Sequence, residues 1–367
     1  MKIYCNQKAL MSCINTVIKA SSTRTSLPIL ECILINANSN YVTLTTNNLD
    51  LGIESTFEAD VITNGLIALE AKLLSEIIKK MPNEEIEINL LENNYVSIAS
   101  GKSKFTIVAR TGEDFPALPK VQVQKGYTIP RAALKDMINQ TIFSVASDES
   151  RPAFMGEMFH IKDNTFNLVS VDGFRISYRQ AEIVNEFGEI ESIVPAKALA
   201  EIARILPHDD GDVIMYFDNR HVFFDIENTK IVSRLLEGEF LKYSQMFTPD
   251  YDTQIIVNCK ELLMCIERAS VISREGKKHP ICLEINTEQM IIKSNTDFGT
   301  SIEELNADIQ GKNLTIAFNP RYLMDALKAI EDDEIMINFL SIIEPCIIQP
   351  KNGNAYKYLI LPIRVNA

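Results

Sequence analysis

The chain has 367 residues, of which 46% are apolar and 23% charged, and its formal net charge is −13. This length predicts two or three domains. No run approaches about 18 uncharged apolar residues, and the start lacks the charged-then-apolar layout of a signal peptide, so we predict a cytoplasmic protein without a membrane span. The acidic total argues against a surface that binds nucleic acid everywhere, although it allows a local basic surface.

The number and spacing of the cysteines are consistent with a cytoplasmic protein. The count of cysteines is odd and no C-x-x-C pair occurs, which argues against a disulfide framework and against a redox motif. We therefore predict that the cysteines are reduced core residues. They are Cys5, Cys13, Cys32, Cys259, Cys265, Cys282 and Cys346.

Along the chain, predicted helices alternate with groups of predicted strands. The strand patterns end at Asn, Asp and Gly turns, as in YVTLTTNN, NTFNLVSVDG and EQMIIKSNTD. Helices are predicted wherever apolar residues recur at helical spacing. In chain order these residues are Leu10, Ile14, Val17 and Ile18; Leu69, Leu73, Leu74, Ile77 and Ile78; Leu134, Met137, Ile138 and Ile142; Leu199, Ile202, Ile205 and Leu206; Leu262, Leu263, Ile266 and Val271; and Leu323, Met324, Leu327 and Ile330.

The same order of elements occurs three times. KALMSCI at 8–14 returns as KELLMCI at 260–266, and EIEINL at 85–90 returns as EIMINF at 334–339, with weaker copies halfway between. The common order and spacing predict three homologous domains, at residues 1–124, 125–250 and 251–367. Two helices against antiparallel strands place each domain in the α+β class.

Catalytic and metal-binding patterns are scarce. The four histidines have no metal-ligand spacing, and neither G-x-S-x-G nor G-x-G-x-x-G occurs, so no metal and no cofactor are predicted. Asp50, Asp172 and Asp297 recur at one place in the three repeats, which favours a structural turn over catalysis. A repeat-built hydrolase that uses Asp172 or Asp297 remains an alternative, as does an acidic scaffold that binds only proteins.

Basic residues recur on the predicted helices, whereas acidic runs such as PNEEIE, HDDGD and EDDE lie elsewhere. A charge run is usually a solvated face. In a repeat protein, however, equivalent helices of successive domains can line one surface. Such a surface suits sequence-independent contact with the backbone of duplex DNA.

From end to end, the chain resembles the β subunit family of bacterial DNA polymerase III, the replicative sliding clamps. The resemblance rests on motifs in the family's order: LPILECILINA at 27–37, RPAFMGEMF at 151–159, VSVDGFRIS at 169–177, IVPAKALAEIARIL at 193–206, LLEGEFLKY at 235–243, FNPRYLMDALKAI at 318–330 and YKYLILPIR at 356–364. It implies a non-catalytic processivity factor at replication forks, despite a polymerase name. It also implies a homodimeric ring of six similar domains, with helices lining the hole and sheets outside.

The resemblance also implies contacts with duplex DNA and a seam between two copies. DNA contacts are expected at Arg24, Lys72, Lys79, Arg151 and Lys197. Pro152 and Ala153 stand where the family often has two tyrosines, so aromatic contacts to DNA are not expected there. At the seam, the alternating strand 102–109 carries Phe105 and Ile107 on one face and Lys102 and Lys104 on the other. It is expected to pair with an edge that includes Val271, Ile272, Glu303 and Glu304, where the two glutamates face the lysines.

Finally, the resemblance implies a pocket for a short peptide rich in Gln, Leu and Phe from the replicative polymerase, the clamp loader and repair polymerases. Apolar walls, an adaptable Met and a few polar groups suit that task. Leu241 replaces a usual Pro and Gln245 a frequent Arg, so peptide affinity is expected to differ from the family's. The expected pocket residues are Phe154, Val171, Gly173, Phe174, Arg175, Ile176, Leu241, Gln245, Met246, Leu359, Ile360, Leu361, Pro362, Ile363 and Arg364. In this view Asp172-Gly173 is a structural turn, and Met246→Ala with Arg175→Ala weakens peptide binding without unfolding the protein.

Overall fold

A computed structural model describes residues 1–22, 25–82, 84–120, 126–185, 187–248, 250–273, 280–287 and 289–364. By its internal contacts the chain forms two compact units. The first unit comprises Met1–Ala132 and Arg204–Leu235, and the second comprises Ala133–Ala203 and Leu236–Ala367. No helix among the described residues has the length and apolar character needed to cross a membrane.

The α-helices are α1 (Gln7–Val17), α2 (Ala71–Lys80), α3 (Arg131–Asn139), α4 (Ala196–Ile205), α5 (Cys259–Ala269) and α6 (Pro320–Lys328). The strands are β1 (Lys2–Asn6), β2 (Cys32–Asn38), β3 (Tyr41–Asn47), β4 (Leu51–Glu58), β5 (Asp60–Thr63), β6 (Gly65–Glu70), β7 (Glu85–Leu90), β8 (Tyr95–Ser100), β9 (Ser103–Val108), β10 (Arg110–Thr111), β11 (Gly126–Pro130), β12 (Gly156–Lys162), β13 (Thr165–Val171), β14 (Arg175–Glu182), β15 (Ile190–Pro195), β16 (Asp212–Phe217), β17 (His221–Ile226), β18 (Thr229–Arg234), β19 (Thr253–Asn258), β20 (Ile281–Ile285), β21 (Met290–Thr296), β22 (Gly299–Leu305), β23 (Asp308–Gly311), β24 (Leu314–Phe318), β25 (Glu334–Phe339), β26 (Cys346–Pro350) and β27 (Tyr356–Ile360).

Each unit contains two antiparallel sheets. In the first unit the strand orders are β5-β1-β7-β8-β9 and β10-β6-β2-β3-β4-β18-β17-β16-β11. In the second they are β15-β12-β13-β14-β27-β26-β25-β19-β23 and β22-β21-β20-β24. The middle third of the chain contributes to both units, because β18 pairs with β4 in one sheet and β14 pairs with β27 in another.

The repeat predicted from the sequence is visible in the order of elements. A strand leads directly into each α-helix, six times in the described chain, beginning with β1 before α1 and ending with β24 before α6. Asn caps the first, fifth and sixth helices in the same way: Asn6, Asn258 and Asn319 each accept a backbone N–H from the first turn. Recurrence of both the order and the cap confirms an α+β fold built by repetition.

The apolar faces of the helices close against the sheets. In α1 the buried residues include Leu10, Ile14 and Val17, and in α5 they include Leu262 and Ile266. Burial of these side chains drives the packing, at about 25 cal/mol per Å² of apolar surface.

Some residues of the predicted helical patterns fall outside the helices or outside the core. Leu69 lies in β6, and Ile142 and Val271 lie in 3₁₀ turns that follow α3 and α5. Leu73 is in α2 but is exposed. These differences arise because a periodicity continues through a short 3₁₀ turn or an adjoining strand without marking where the helix begins or ends.

The cysteines match their prediction. All are free thiols, six of them buried and Cys282 intermediate. Burial raises the pKa of Cys259 to about 11 and that of Cys346 to about 12. Thiolate, the reactive form, is therefore scarce at neutral pH.

Candidate functional site

The Asp172-Gly173 turn joins β13 to β14 and is held by its own aspartate. Asp172 Oδ1 accepts the backbone N–H groups of Phe174 at 2.9 Å and of Arg175 at 3.1 Å. Gly173 has φ +92°, a conformation that glycine adopts without steric cost. As predicted, the turn is structural, since the Asp172 carboxylate is committed to backbone and guanidinium donors.

Arg175 is the first residue of β14, and its side chain is only 8% exposed. The guanidinium donates to Asp172 Oδ2 at 3.0 Å, to Asp325 Oδ2 of α6 at 2.7 Å and to the Phe143 carbonyl at 2.5 Å. Its carbon lies 4.6 Å from the centroid of the Tyr322 ring. Arg175 thus ties the turn to two other elements of the second unit, which is a stabilising role distinct from the expected role in the pocket wall.

Phe174 faces outward beside this anchor. Its side chain is 55% exposed, and its ring stacks on Tyr322 with centroids 6.1 Å apart. The Phe174 carbonyl accepts the Leu361 N–H at 2.9 Å. The turn therefore adjoins the segment that leaves β27, so the structure brings together two stretches that the sequence separates by almost 190 residues.

An apolar cluster lies next to the turn, since Val171 and Ile176 on either side of the turn belong to it. Seven buried residues form it, and seven partly buried ones pack against them. Five of the expected pocket residues belong to the cluster: Val171, Ile176 and Leu359 in its buried part, and Phe154 and Leu241 at its border. Phe154 also meets Phe240 edge to face at 5.7 Å. An apolar floor with aromatic sides can hold the apolar side chains of a peptide.

The other expected residues differ in exposure, and Pro362 and Ile363 are partly buried. Gln245 and Met246 are exposed on a 3₁₀ turn, Tyr243–Met246, whose first residue packs on the cluster. Leu361 and Arg364 are exposed, whereas Ile360 is buried in β27. Ile360 belongs to the separate core cluster that includes residues of α5 and α6, so it differs from the expected pocket residues that line this surface.

One exposed apolar segment near this surface was missed in the sequence analysis. Ile342 and Ile343 are 60% and 61% exposed in the loop between β25 and β26. The loop ends at Cys346, which pairs with Ile360 at the end of β27. Two adjacent isoleucines before Glu-Pro, outside any predicted strand, were the available signal.

The expected DNA-contacting residues are exposed wherever the structure describes them. Lys72 and Lys79 are both exposed on α2, and a separation of seven residues places them on one face of a helix. Lys197 is exposed on α4. Arg151 is exposed with its guanidinium 5.7 Å from the Phe154 ring; Arg24 lies outside the described residues.

Both segments expected at the seam include sheet edges. β9 is the last strand of its sheet, with Phe105 exposed, and β22 is the last strand of another. Val271 is exposed in the turn after α5. Glu303 differs from the expectation, because it accepts the Arg268 guanidinium at 2.6 Å within the same chain. Glu304 is exposed.

Comparison with known proteins gives one family along the chain. Residues 1–119, 128–242 and 244–364 match the N-terminal, central and C-terminal domain models of the DNA polymerase III beta subunit.

Individual relatives give the same result. The chain is 34% identical to a beta sliding clamp of Staphylococcus epidermidis over 361 residues, or 96% of each chain. The DNA polymerase sliding clamp structure from Bacillus subtilis superposes with a TM-score of 0.97 at 32% identity. A structure from Eubacterium rectale, assigned as a DNA polymerase III beta subunit, gives 0.95 at 38% identity. Both structures are covered completely, as is this chain.

Proposed function

For this chain, which belongs to the DNA polymerase III beta subunit family and is a DNA sliding clamp, we propose that two copies close into a ring around duplex DNA. We also propose that the second unit of each copy binds partner peptides. The observation that carries the proposal is the similarity to sliding clamps over the whole chain. We place the domain boundaries at 1–124, 125–250 and 251–367. An acidic protein can still hold DNA in this arrangement, because a closed ring of six repeats encircles the duplex. The contacts between protein and DNA can therefore remain weak.

Sequence-independent DNA contact is assigned to exposed cations. Lys72, Lys79, Arg151 and Lys197 are exposed, and Arg24 is added from the family resemblance. Such residues neutralise phosphates without reading bases, so each contact contributes about 0.9 to the salt dependence of affinity. Weak, salt-sensitive contacts let a ring slide.

Topological binding has a direct test. The protein is loaded on nicked circular DNA with its clamp loader and ATP, and the circle is then linearised. Retention on circles with loss from linear ends supports the ring. Retention on both forms, or on neither, contradicts it. Lys72→Ala with Lys79→Ala should lower the salt slope of binding by about 2, whereas Lys230→Ala, another exposed lysine of the first unit, should leave the slope unchanged.

Peptide docking is assigned to the apolar cluster of the second unit and to its rim, the exposed residues Phe174, Gln245 and Met246. Val171, Ile176 and Leu359 supply a rigid floor, while Met246 and Gln245 supply an adaptable and a polar edge. The exposed Ile342 and Ile343 extend the apolar area available to a ligand. The occupants we propose are Gln-, Leu- and Phe-rich peptides of the replicative polymerase, the clamp loader and repair polymerases.

The seam between copies is assigned to the two free sheet edges. β9 of one copy pairs with β22 of the other, which satisfies backbone groups that an edge strand leaves open. Phe105 and Ile107 meet Val271 and Ile272, and the lysines Lys102 and Lys104 face the partner's Glu304. Glu303 forms an ion pair with Arg268 of its own chain, so it contributes less to the seam than Glu304.

The clamp itself is proposed to be non-catalytic. The carboxylate of Asp172, one of two candidates for a hydrolase, is engaged by three donors of its own turn. A catalytic carboxylate needs a geometry that reaches substrate. Purified protein should therefore lack nuclease and polymerase activity, and activity that copurifies with the dimer and is lost in Asp172→Asn or Asp297→Asn would contradict this.

A further inference from the structure

An imidazole and two carboxylates converge on one edge of the large sheet of the second unit. His160 on β12 lies directly opposite Glu191 on β15. Glu189 immediately precedes β15, and its carboxylate also reaches the imidazole. The result is a group of three potential ligand atoms within 4.8 Å of one another.

From this group we infer a binding site for a divalent transition-metal ion, with His160, Glu189 and Glu191 as its three protein ligands. His160 Nε2 is 3.1 Å from Glu189 Oε1 and 3.7 Å from Glu191 Oε1. Two ligand atoms on a tetrahedral Zn²⁺ with bonds of about 2.0–2.2 Å lie about 3.3–3.6 Å apart. The two separations from the imidazole bracket that distance, and the two carboxylates lie within 4.8 Å of each other, so an ion has to draw the three side chains only slightly closer.

The second nitrogen of the imidazole is held in place. His160 Nδ1 is 2.6 Å from the Tyr243 hydroxyl. When Nδ1–H donates to this oxygen, the lone pair of Nε2 points to the two carboxylates. A partner on the other ring nitrogen is the arrangement that fixes metal-binding histidines in proteins.

Ligand chemistry narrows the class of ion. One imidazole and two carboxylates suit Zn²⁺ and its first-row neighbours better than Mg²⁺ or Ca²⁺, which prefer oxygen alone. Three protein ligands leave a fourth position for water. Lys162 competes with the ion, because its ammonium lies 3.3 Å from Glu189; without a metal, that ammonium and the imidazole satisfy the carboxylate.

This site could not be predicted from the sequence. His160 and the two glutamates are about 30 residues apart, so no motif of metal-ligand spacing exists, and only the β12–β15 register brings the three together. The inference does not depend on the peptide pocket or on the ring.

The test is Zn²⁺ titration of the full-length protein by calorimetry, with Co²⁺ absorption as a second readout of nitrogen and oxygen ligation. Wild type should bind one Zn²⁺ per chain. Glu189→Gln with Glu191→Gln should bind at least ten-fold more weakly, while Glu182→Gln, which removes an exposed carboxylate nearby on β14, should match wild type.

A gain of affinity sharpens this test. Lys162→Met removes the competing ammonium and should tighten Zn²⁺ binding several-fold. Equal affinity in wild type and the double glutamine variant, or equal or weaker affinity in Lys162→Met, would overturn the assignment. Thermal unfolding of each apo variant checks that these exposed substitutions leave the fold intact.

Discussion

Replacing Arg175 by alanine should destabilise the second unit. Removing one member of a buried ion pair costs about 3–5 kcal/mol. The side chains of Asp172 and Asp325 are 15% and 27% exposed, so water recovers part of that cost. The lost bond to the Phe143 carbonyl and the contact with the Tyr322 ring each add about 1 kcal/mol. We therefore expect a loss of about 3–4 kcal/mol in the free energy of unfolding.

Urea denaturation followed by far-UV circular dichroism measures this loss, since the chain has no tryptophan. Arg175→Lys keeps the charge but not the planar fork and should lose about half as much. Arg179→Ala, on the same strand with a ring contact to Tyr356, is the matched control and should cost less than about 1 kcal/mol. If Arg175→Ala unfolds at the same urea concentration and with the same slope as wild type, the stabilising role of the guanidinium is refuted.

This prediction changes how peptide binding should be tested. The sequence suggested that Arg175→Ala weakens docking without unfolding. Since the guanidinium holds the Asp172 turn, its loss also displaces Phe174 and disturbs the surface next to it. A binding defect in Arg175→Ala therefore cannot be attributed to a lost peptide contact, whereas a defect in a rim variant can.

Three further predictions concern docking, assembly and pH. Met246→Ala should weaken binding of a fluorescein-labelled Gln-, Leu- and Phe-rich peptide about ten-fold with unchanged thermal unfolding, because it removes an exposed anchor-contacting side chain; unchanged affinity removes Met246 from the pocket. Phe105→Arg or Ile272→Asp should give monomers by light scattering, and a dimer mass for both variants overturns the seam. Burial raises the pKa of Glu157 well above its ordinary value of 4.5 and outweighs the interaction with Thr141, which lowers it. The folded state thus binds this proton more tightly than the unfolded state does. The free energy of unfolding of the wild type should therefore fall as pH rises above about 4.5, and that of Glu157→Gln should fall less. Parallel profiles of unfolding free energy from pH 5 to 8 for the two proteins would contradict this.

The features that depend on local pattern were predictable from the amino-acid sequence. Helical spacing of apolar residues predicted the six helices, and recurrence at a fixed offset predicted the repeated α+β architecture. Asp172-Gly173 was identified as a structural turn from the same recurrence. These features involve residues a few positions apart, where side-chain periodicity and turn chemistry act directly.

The features that depend on pairing between distant segments required the folded structure. β18 joins β4 and β14 joins β27, so the middle repeat is divided between two units. Long-range contacts also place Arg175 on Asp325 and Glu303 on Arg268, and they gather His160 with two glutamates. The sequence pattern around a charged residue is the same whether its side chain faces solvent or a buried partner. Its environment is set by strand register and helix packing, which no local pattern records.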